Sequence, residues 1–373
     1  MSNSNSFVCT SCGKSYPLDT RNWRCECGGL FDLERWPAFD PGVIDATQPG
    51  LWRYWRLLPI EPGWEPVTLG EGNTPLLPLD WQGQDIYFKL ESISPTGSFK
   101  DRGASLLVTS LRGLGIERTV EDSSGNAGAS LAAYGARAGI ACEICVPDTA
   151  GGPKLAQMAA HGAEVIQIKG KREYAALAAW AAAAHGAFYA SHVFNPYFMA
   201  GLETVAYELW EQLGHRAPKA LVLPVGNGTL LVGAYRGFRR LQRAGLIDRM
   251  PRLFAVQAAA CAPIYNAYHA DREAIEPVVP CSTAANAIAI SQPARGAQVL
   301  SAVRATRGDV IAVAEEAIPV TRNQLAHQGF YLEDTSAVAV AALADVPTLQ
   351  EDTTGKPVVV FLTGHGLKTY VAE

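Results

Sequence analysis

Residues 220–243 read ALVLPVGNGTLLVGAYRGFRRLQR, and this stretch contains the pattern that decides the fold. An apolar run, ALVLPV (220–225), ends in a glycine turn and passes directly into a helix-like run over 229–243. Buried parallel strands read as continuous apolar runs, and helices follow them in α/β proteins. The stretch therefore predicts one strand–turn–helix unit of a doubly wound sheet.

The same alternation of apolar and helix-like runs extends through the rest of the chain. Further strand-like runs are DIYFKL (85–90), ACEICV (141–146), AEVIQI (163–168), LFAVQ (253–257) and PVVVFL (357–362). Helix-like runs lie among them at 101–113, 127–138, 153–161, 172–184, 198–213 and 336–345. This spacing predicts an α/β fold of mainly parallel sheets with helices on both faces.

The composition favours a soluble intracellular protein. The 373 residues carry 31 Lys+Arg against 36 Asp+Glu, so no basic field attracts nucleic acid or an anionic membrane. Charged residues make up only 18%, which is untypical of disordered chains and coiled coils. The start, MSNSNSFVCT, lacks a secretory signal pattern, and the alanine-rich run 175–184 is too short to cross a bilayer. We therefore expect a cytoplasmic protein without nucleic-acid or membrane partners.

Four cysteines near the beginning of the sequence suggest a metal site. Cys9 and Cys12 form a C-x2-C pair, and Cys25 and Cys27 form a C-x-C pair. In a reducing compartment four thiolates suit tetrahedral Zn²⁺, which could hold together a segment too small for its own core. We expect residues 1–45 to form a zinc-ribbon-like extension with a structural role, because a closed four-ligand site leaves no open position for catalysis. The alternative is a knuckle of reduced cysteines without metal.

The turn PTGSFKDRG (95–103) carries the first candidate reactive group. It opens a helix-like run and places Lys100 in the first helical turn. The helix dipole opposes a cation at this end, which lowers the pKa of an amine and suits a lysine that reacts with a carbonyl group. A solvated surface lysine is the alternative.

A second turn, SSGNAGAS (123–130), leads into a helix of small residues. Backbone amides at such a helix start bind anions and would suit a carboxylate. The Asn126 side chain could donate a hydrogen bond to a phenolate-like oxygen. An ordinary helix cap with an Asn turn is the alternative.

Two further turns follow strand-like runs. The sequence Gly-Asn-Gly-Thr at 226–229 fits a phosphate cradle, because glycines let the backbone approach closely and the threonine adds a hydroxyl. It lacks the lysine of a Walker loop and the G-x-G-x-x-G spacing of a dinucleotide site, so a nicotinamide dehydrogenase is not indicated. Thr363 presents a hydroxyl at the end of the last strand-like run.

Together, the four turns match the needs of one cofactor, pyridoxal 5′-phosphate. This cofactor needs an amine for its aldehyde, a cradle for its phosphate and a partner for its ring nitrogen, and its amino-acid substrate brings a carboxylate. Open parallel sheets bind ligands where strands end and helices begin, which is where we expect these turns to lie.

A set of ordered motifs carries a family resemblance. The motifs are EGNTPL (71–76), PTGSFKDRG (95–103), SSGNAGAS (123–130), VGNGT (225–229) and LTGHGLK (362–368). They resemble those of threonine synthases and their relatives, which are fold-type II pyridoxal-phosphate enzymes of the tryptophan synthase β family. The N-terminal cysteine segment is also similar to an extension found on many threonine synthases.

The resemblance implies a role for each matched residue. Lys100 would bind the cofactor covalently and move protons, Asn126 would contact the 3′ oxygen, and Thr363 would face the ring nitrogen. The cofactor phosphate would lie on Gly226, Asn227, Gly228 and Thr229, and the substrate carboxylate on Ser123, Ser124, Gly125 and Ala127. The resemblance also implies a large cofactor-binding domain (60–94 and 194–373), a small mobile domain (95–193) and a homodimer.

The sequence departs from the family pattern at positions that bear on the substrate. Phe198 and Glu203 stand where many threonine synthases have arginine and lysine in N-P-x-R-x-E-G-x-K-T, and Asp334 replaces the proline of E-P-x-S. An aromatic ring cannot replace a guanidinium group in binding a phosphate dianion. Either Glu203 and Asp334 are solvated and another cation, such as Lys154 or Arg102, holds the phosphate, or the substrate differs.

Two functional hypotheses follow, both for a lyase or synthase acting at Cβ or Cγ of a small amino acid. The first is threonine synthase, which converts O-phosphohomoserine into threonine and phosphate. The second is a diverged relative that carries out β-elimination or β-replacement on serine, threonine, an activated serine or an unusual amino acid. A neutral hydroxyl at the ring nitrogen fits both reactions better than transamination.

Overall fold

The computed structural model describes residues 5–279, 281–346 and 357–369. The chain forms two units. Unit 1 contains the described residues up to 72 together with residues 100–202, and unit 2 contains residues 73–99 and the described residues of 203–369. Among the described residues, no helix combines the length and apolar character needed to cross a membrane.

Strands and α-helices are distributed along the whole described part of the chain. The strands are β1 (Phe7–Cys9), β2 (Ser15–Tyr16), β3 (Phe31–Leu33), β4 (Leu76–Trp81), β5 (Gln84–Lys89), β6 (Arg118–Glu121), β7 (Ala141–Pro147), β8 (Glu164–Ile168), β9 (Phe188–Tyr189), β10 (Ala220–Pro224), β11 (Arg252–Ala258), β12 (Asp309–Val313) and β13 (Val358–Phe361). The α-helices are α1 (Lys100–Gly113), α2 (Asn126–Ala138), α3 (Pro153–Ala160), α4 (Arg172–Ala184), α5 (Pro196–Gln212), α6 (Thr229–Arg243), α7 (Pro263–His269), α8 (Gly296–Ala305), α9 (Ala317–His327) and α10 (Asp334–Ala341).

Unit 1 is built on a parallel sheet with the strand order β8-β7-β6-β9. The N-terminal extension forms a separate antiparallel ribbon, β2-β1-β3. The ribbon does not have a core of its own, because Phe7 and Phe31 share one apolar cluster with Leu106 of α1 and Tyr197 of α5. The extension is therefore part of the packing that holds α1 in place.

Unit 2 is built on a sheet with the order β12-β11-β10-β13-β5-β4, in which every pairing is parallel except β4 with β5. All five residues of β10 are buried. Such a strand lies inside a doubly wound sheet with both faces covered, which is why its sequence is a continuous apolar run.

The structure confirms the predicted strand runs and the predicted helix runs to within a few residues. It also contains elements that the sequence analysis did not identify, including α7, α8, α9 and β12. The helix α8 has glycine as its first residue and no capping side chain, so the usual signals of a helix start are missing. The short strand β6 reads RTVE, whose two charges hide its apolar centre.

Candidate active site

Lys100 is the first residue of α1, as the sequence predicts. The preceding residue, Phe99, donates its backbone N–H to the carbonyl of Thr363 at 3.1 Å, and Ser98 forms a β-bridge with Gly364. Lys368 closes the same turn, because its ammonium donates to the carbonyl of Thr96 at 2.5 Å. Within unit 2, the residues just before Lys100 are thus fixed to the end of the Thr363 strand.

The amine of Lys100 has unusual acid–base properties. Surrounding protein lowers its pKa to about 8, and the charge of Glu121 opposes that shift. Its Nζ lies 5.8 Å from the centre of the Phe198 ring, although the residue keeps some access to solvent. The lowered pKa expected from the helix dipole is present, but its main cause is burial.

Residues 123–126, which we call the SSGN turn, connect β6 to α2. Gly125 precedes the first helical residue, Asn126, and its backbone N–H donates to the Ser123 hydroxyl at 3.3 Å. A β-carbon on Gly128 would lie 2.1 Å from the carbonyl oxygen of Ser123, so this position requires glycine. The close approach folds the turn tightly over the helix start, where backbone amides can receive an anion.

The turn at 226–229 packs so closely against other segments that two of its positions favour glycine. Gly228 has a φ of 88°, and a β-carbon there would lie 2.3 Å from Val299 Cγ2. A β-carbon on Gly226 would lie 3.1 Å from the Cα of Ile288. Asn227 uses its side-chain oxygen to accept the backbone N–H of Ala294 at 3.3 Å, which fixes the turn, and Thr229 begins α6.

Thr363 is buried and its hydroxyl lies 3.3 Å from the hydroxyl of Ser336 in α10. Ser336 also accepts the backbone N–H of Gly364 at 2.9 Å. No functional role for Ser336 is predicted from the sequence, although the residue lies in the E-D-T-S segment (333–336). His365, for which no role was predicted, accepts the N–H of Leu367 through Nδ1 at 3.1 Å and so acts as a local cap.

The residues predicted to bind the cofactor and substrate belong to two different units. Unit 1 contains Lys100 and the turn 123–127, and unit 2 contains the turn 226–229 and Thr363. Within unit 1, the hydroxyl of Ser130 in α2 donates to Asp101 in α1 at 2.6 Å, which fixes the starts of the two helices to each other.

The departures from the family pattern have structural partners. Glu203 is buried, and Arg240 and Tyr207 bind its carboxylate at 3.4 and 3.2 Å. Asp334 is buried and Arg322 contacts both of its oxygens, at 2.9 and 3.2 Å. The expectation that these two acids are solvated is therefore wrong, because each has its own arginine.

Phe198 is buried and packs where α5 crosses α1. A β-carbon on Gly103 would lie 2.6 Å from its ring, so a glycine in α1 is needed to accommodate it. The centre of the ring lies 5.8 Å from the Lys100 amine and 5.9 Å from the centre of the His192 ring. The position where the family pattern has arginine thus forms an apolar wall beside the lysine.

The four N-terminal cysteines come together. Their sulfur atoms all lie within 4.8 Å of one another, with Cys9 to Cys27 at 3.5 Å and Cys12 to Cys25 at 3.6 Å. Four sulfurs about 2.3 Å from a tetrahedral Zn²⁺ would be about 3.8 Å apart. The Tyr16 hydroxyl, 3.2 Å from the Cys25 sulfur, lowers the pKa of that thiol to about 6. The cluster has the size and donor set of a metal site.

The comparisons with known proteins identify the family. The family model described as pyridoxal-phosphate dependent enzyme matches residues 67–364. The chain belongs to this family. It is 35% identical to the threonine synthase of Methanocaldococcus jannaschii over 96% of this chain and 92% of the relative, and 36% identical to that of Methanosarcina acetivorans over 96% and 91%. The resemblance to threonine synthases stated from the motifs is therefore confirmed.

Solved structures confirm the fold. Maize serine racemase superimposes with a TM-score of 0.66 at 22% identity, over 79% of this chain and 88% of that one. Threonine deaminase isoform 2 from Solanum lycopersicum gives 0.68 at 22% identity, over 78% and 79%. The prediction of fold type II is correct. The residues present also fit pyridoxal phosphate: a lysine with a lowered pKa begins α1, close packing restricts side chains at Gly226 and Gly228, and the buried hydroxyl of Thr363 after β13 has the Ser336 hydroxyl as its partner.

Proposed function

We propose that this enzyme is a threonine synthase, which converts O-phosphohomoserine into threonine and phosphate. The observation that carries the proposal is the extent of the similarity to threonine synthases, which reaches 96% of the chain in two relatives. The departures at Glu203 and Asp334 no longer argue against a phosphate substrate, because internal arginines neutralise both acids. These points favour threonine synthase over the diverged alternative.

Lys100 is the catalytic residue in this proposal. It would bind the cofactor through its ε-amine and, once released, would carry protons between carbon atoms of the substrate. An amine with a pKa of about 8 can take up and give up a proton near neutral pH, which an ordinary lysine cannot do readily. Bound pyridoxal phosphate would supply a ring that withdraws electrons from the substrate.

The other selected residues would bind and orient. The cofactor phosphate would lie on the turn 226–229, whose glycines let the chain pack closely against Ile288 and Val299. The Thr363 hydroxyl, supported by Ser336, would contact the ring nitrogen. Because this partner is neutral, it does not enforce a positive charge on the ring, which suits elimination and replacement.

The substrate and the 3′ oxygen of the cofactor would meet the SSGN turn. The carboxylate of the amino acid would accept hydrogen bonds from Ser123, Ser124 and the backbone amides of Gly125 and Ala127, at the start of α2. Asn126, the first residue of that helix, would contact the 3′ oxygen. Holding the carboxylate at a helix start orients the rest of the substrate.

Phosphate release is the decisive test. The purified holoenzyme is incubated with O-phosphohomoserine, and phosphate and threonine are measured together. Equal amounts of both are expected, and Lys100→Ala should abolish them while Lys169→Ala, an exposed lysine of unit 1, should not. No phosphate from this substrate, combined with ammonia or a 2-oxo acid from serine or threonine, would instead support the diverged alternative.

We also propose that the cysteine cluster binds one structural Zn²⁺, that the chain acts as a homodimer and that it is located in the cytoplasm. The zinc proposal is supported by the convergence of four thiols. A reducing cytoplasm would keep these thiols available, and the resemblance to threonine synthases implies the dimer. Elemental analysis and sedimentation equilibrium test the first two points; no zinc, or a monomer at all concentrations, would contradict them.

A further inference from the structure

Glu121 is a buried acid that neither the family motifs nor the proposed roles explain. It is the last residue of β6, a strand with neighbours on both sides, and its side chain is only 1% exposed. Its carboxylate accepts the backbone N–H of His192 at 3.1 Å, and its other oxygen lies 3.3 Å from the Nδ1 of the same residue. Two contacts from one partner hold the carboxylate in a single orientation.

A short series of contacts connects this pair to the catalytic lysine. The ring of His192 packs edge-on against the ring of Phe198, with centroids 5.9 Å apart. The same ring of Phe198 has the Nζ of Lys100 5.8 Å from its centre. All four residues belong to unit 1. His192 and Phe198 thus connect the acid to the amine through buried side chains of one unit, and charges interact strongly in such low-dielectric surroundings.

The charges of Glu121 and Lys100 influence each other's pKa. Burial raises the pKa of Glu121 to about 7, and the N–H of His192 and then the charge of Lys100 oppose the shift. The other charged groups that act on Glu121 are Asp122 and Arg172. The carboxylate of Asp122 accepts a hydrogen bond from the Tyr189 hydroxyl at 2.7 Å. The negative charge of Glu121 raises the pKa of the lysine, against the effect of burial.

We propose that Glu121, held by His192, is a positioning residue that provides the counter-charge for the ε-amine of Lys100 after this amine leaves the cofactor. Between taking a proton from one substrate carbon and giving it to another, Lys100 is an ammonium ion. The fixed, buried carboxylate stabilises that cation and keeps the proton on the nitrogen until it is transferred. No other bond changes, and the proton count is unaltered. The inference rests on the proposed role of Lys100.

The test measures the amine directly. The full-length apoenzyme is acetylated briefly at a series of pH values, and the modification of Lys100 is quantified by mass spectrometry. The wild-type midpoint should be near pH 8, and Glu121→Gln should lower it by about one pH unit, because a nearby negative charge has been removed. Glu143→Gln, in the neighbouring strand and paired with Arg118, is the matched control and should not change it.

A second readout uses the holoenzyme. The visible absorption of the bound cofactor is titrated between pH 6 and 10 in the wild type and in both variants, and only Glu121→Gln should shift the titration. An unchanged acetylation midpoint in Glu121→Gln would overturn the proposal, even if activity falls, because a purely structural role predicts that result. If that variant does not fold, Glu121→Ala takes its place, and an unchanged midpoint in that variant would overturn the proposal as well. Failure to release phosphate from O-phosphohomoserine would refute the proposed function but leave this measurement valid.

Discussion

Replacing Gly228 by alanine should weaken the binding of pyridoxal phosphate to the proposed phosphate turn, and the structure allows us to estimate the loss of affinity. The residue has a φ of 88°, and a left-handed conformation costs a residue with a side chain about 1–2 kcal/mol. The new β-carbon would also lie 2.3 Å from Val299 Cγ2, and relieving such overpacking costs about 1–3 kcal/mol. The turn is therefore expected to move, and binding the cofactor would require it to move back. A penalty of about 2 kcal/mol or more corresponds to a loss of affinity of about 30-fold or more.

The assay is a titration of the apoenzyme with pyridoxal phosphate, followed by absorbance, and two further variants separate the causes. Gly245→Ala introduces a side chain at a φ of 71° with no atom within 4 Å, so it has the backbone cost alone and should bind the cofactor normally. Adding Val299→Ala to Gly228→Ala should recover part of the lost affinity. If Gly228→Ala binds the cofactor as tightly as Gly245→Ala, the assignment of this turn to the phosphate is refuted.

Three further substitutions test other parts of the account. Glu208→Gln removes the buried partner of Lys89 and should lower the free energy of unfolding by about 3–5 kcal/mol in a urea titration; a loss below about 1 kcal/mol would contradict a buried ion pair. Cys12→Ser should abolish zinc binding, measured by elemental analysis, and lower the melting temperature; unchanged zinc content would exclude this ligand set. Ser336→Ala leaves the buried N–H of Gly364 without its acceptor and should cost about 1–3 kcal/mol and alter the absorption of the bound cofactor; an unaltered spectrum would argue against a role for this hydroxyl at the ring.

The sequence predicts those parts of the fold and site in which local pattern and chemistry coincide. The strand β10 is a continuous apolar run because both of its faces are buried, and the helices that follow the SSGN and GNGT turns begin where small residues allow. The four cysteines were identified as a cluster because their spacing alone suggests one ligand set, and their sulfurs do converge.

Features that depend on distant residues could not be predicted. Glu121 and His192 are 71 positions apart, and only the fold brings the carboxylate to the backbone of the second residue. Glu203 and Asp334 look like surface acids because their arginines lie on other segments of the chain. One signal is present at Glu121: it is an acid directly after the apolar centre of a short strand and two residues before a candidate ligand turn.

The central claim is that the ε-amine of Lys100 carries the cofactor. Treating the yellow holoenzyme with borohydride makes the bond between cofactor and lysine permanent, and peptide mapping then locates the added mass. The account predicts that this mass lies on the peptide containing Lys100 and that the visible band near ~410–430 nm disappears in the same step. Mass on the peptide of Lys89 or Lys368, or no added mass on any lysine, would contradict it.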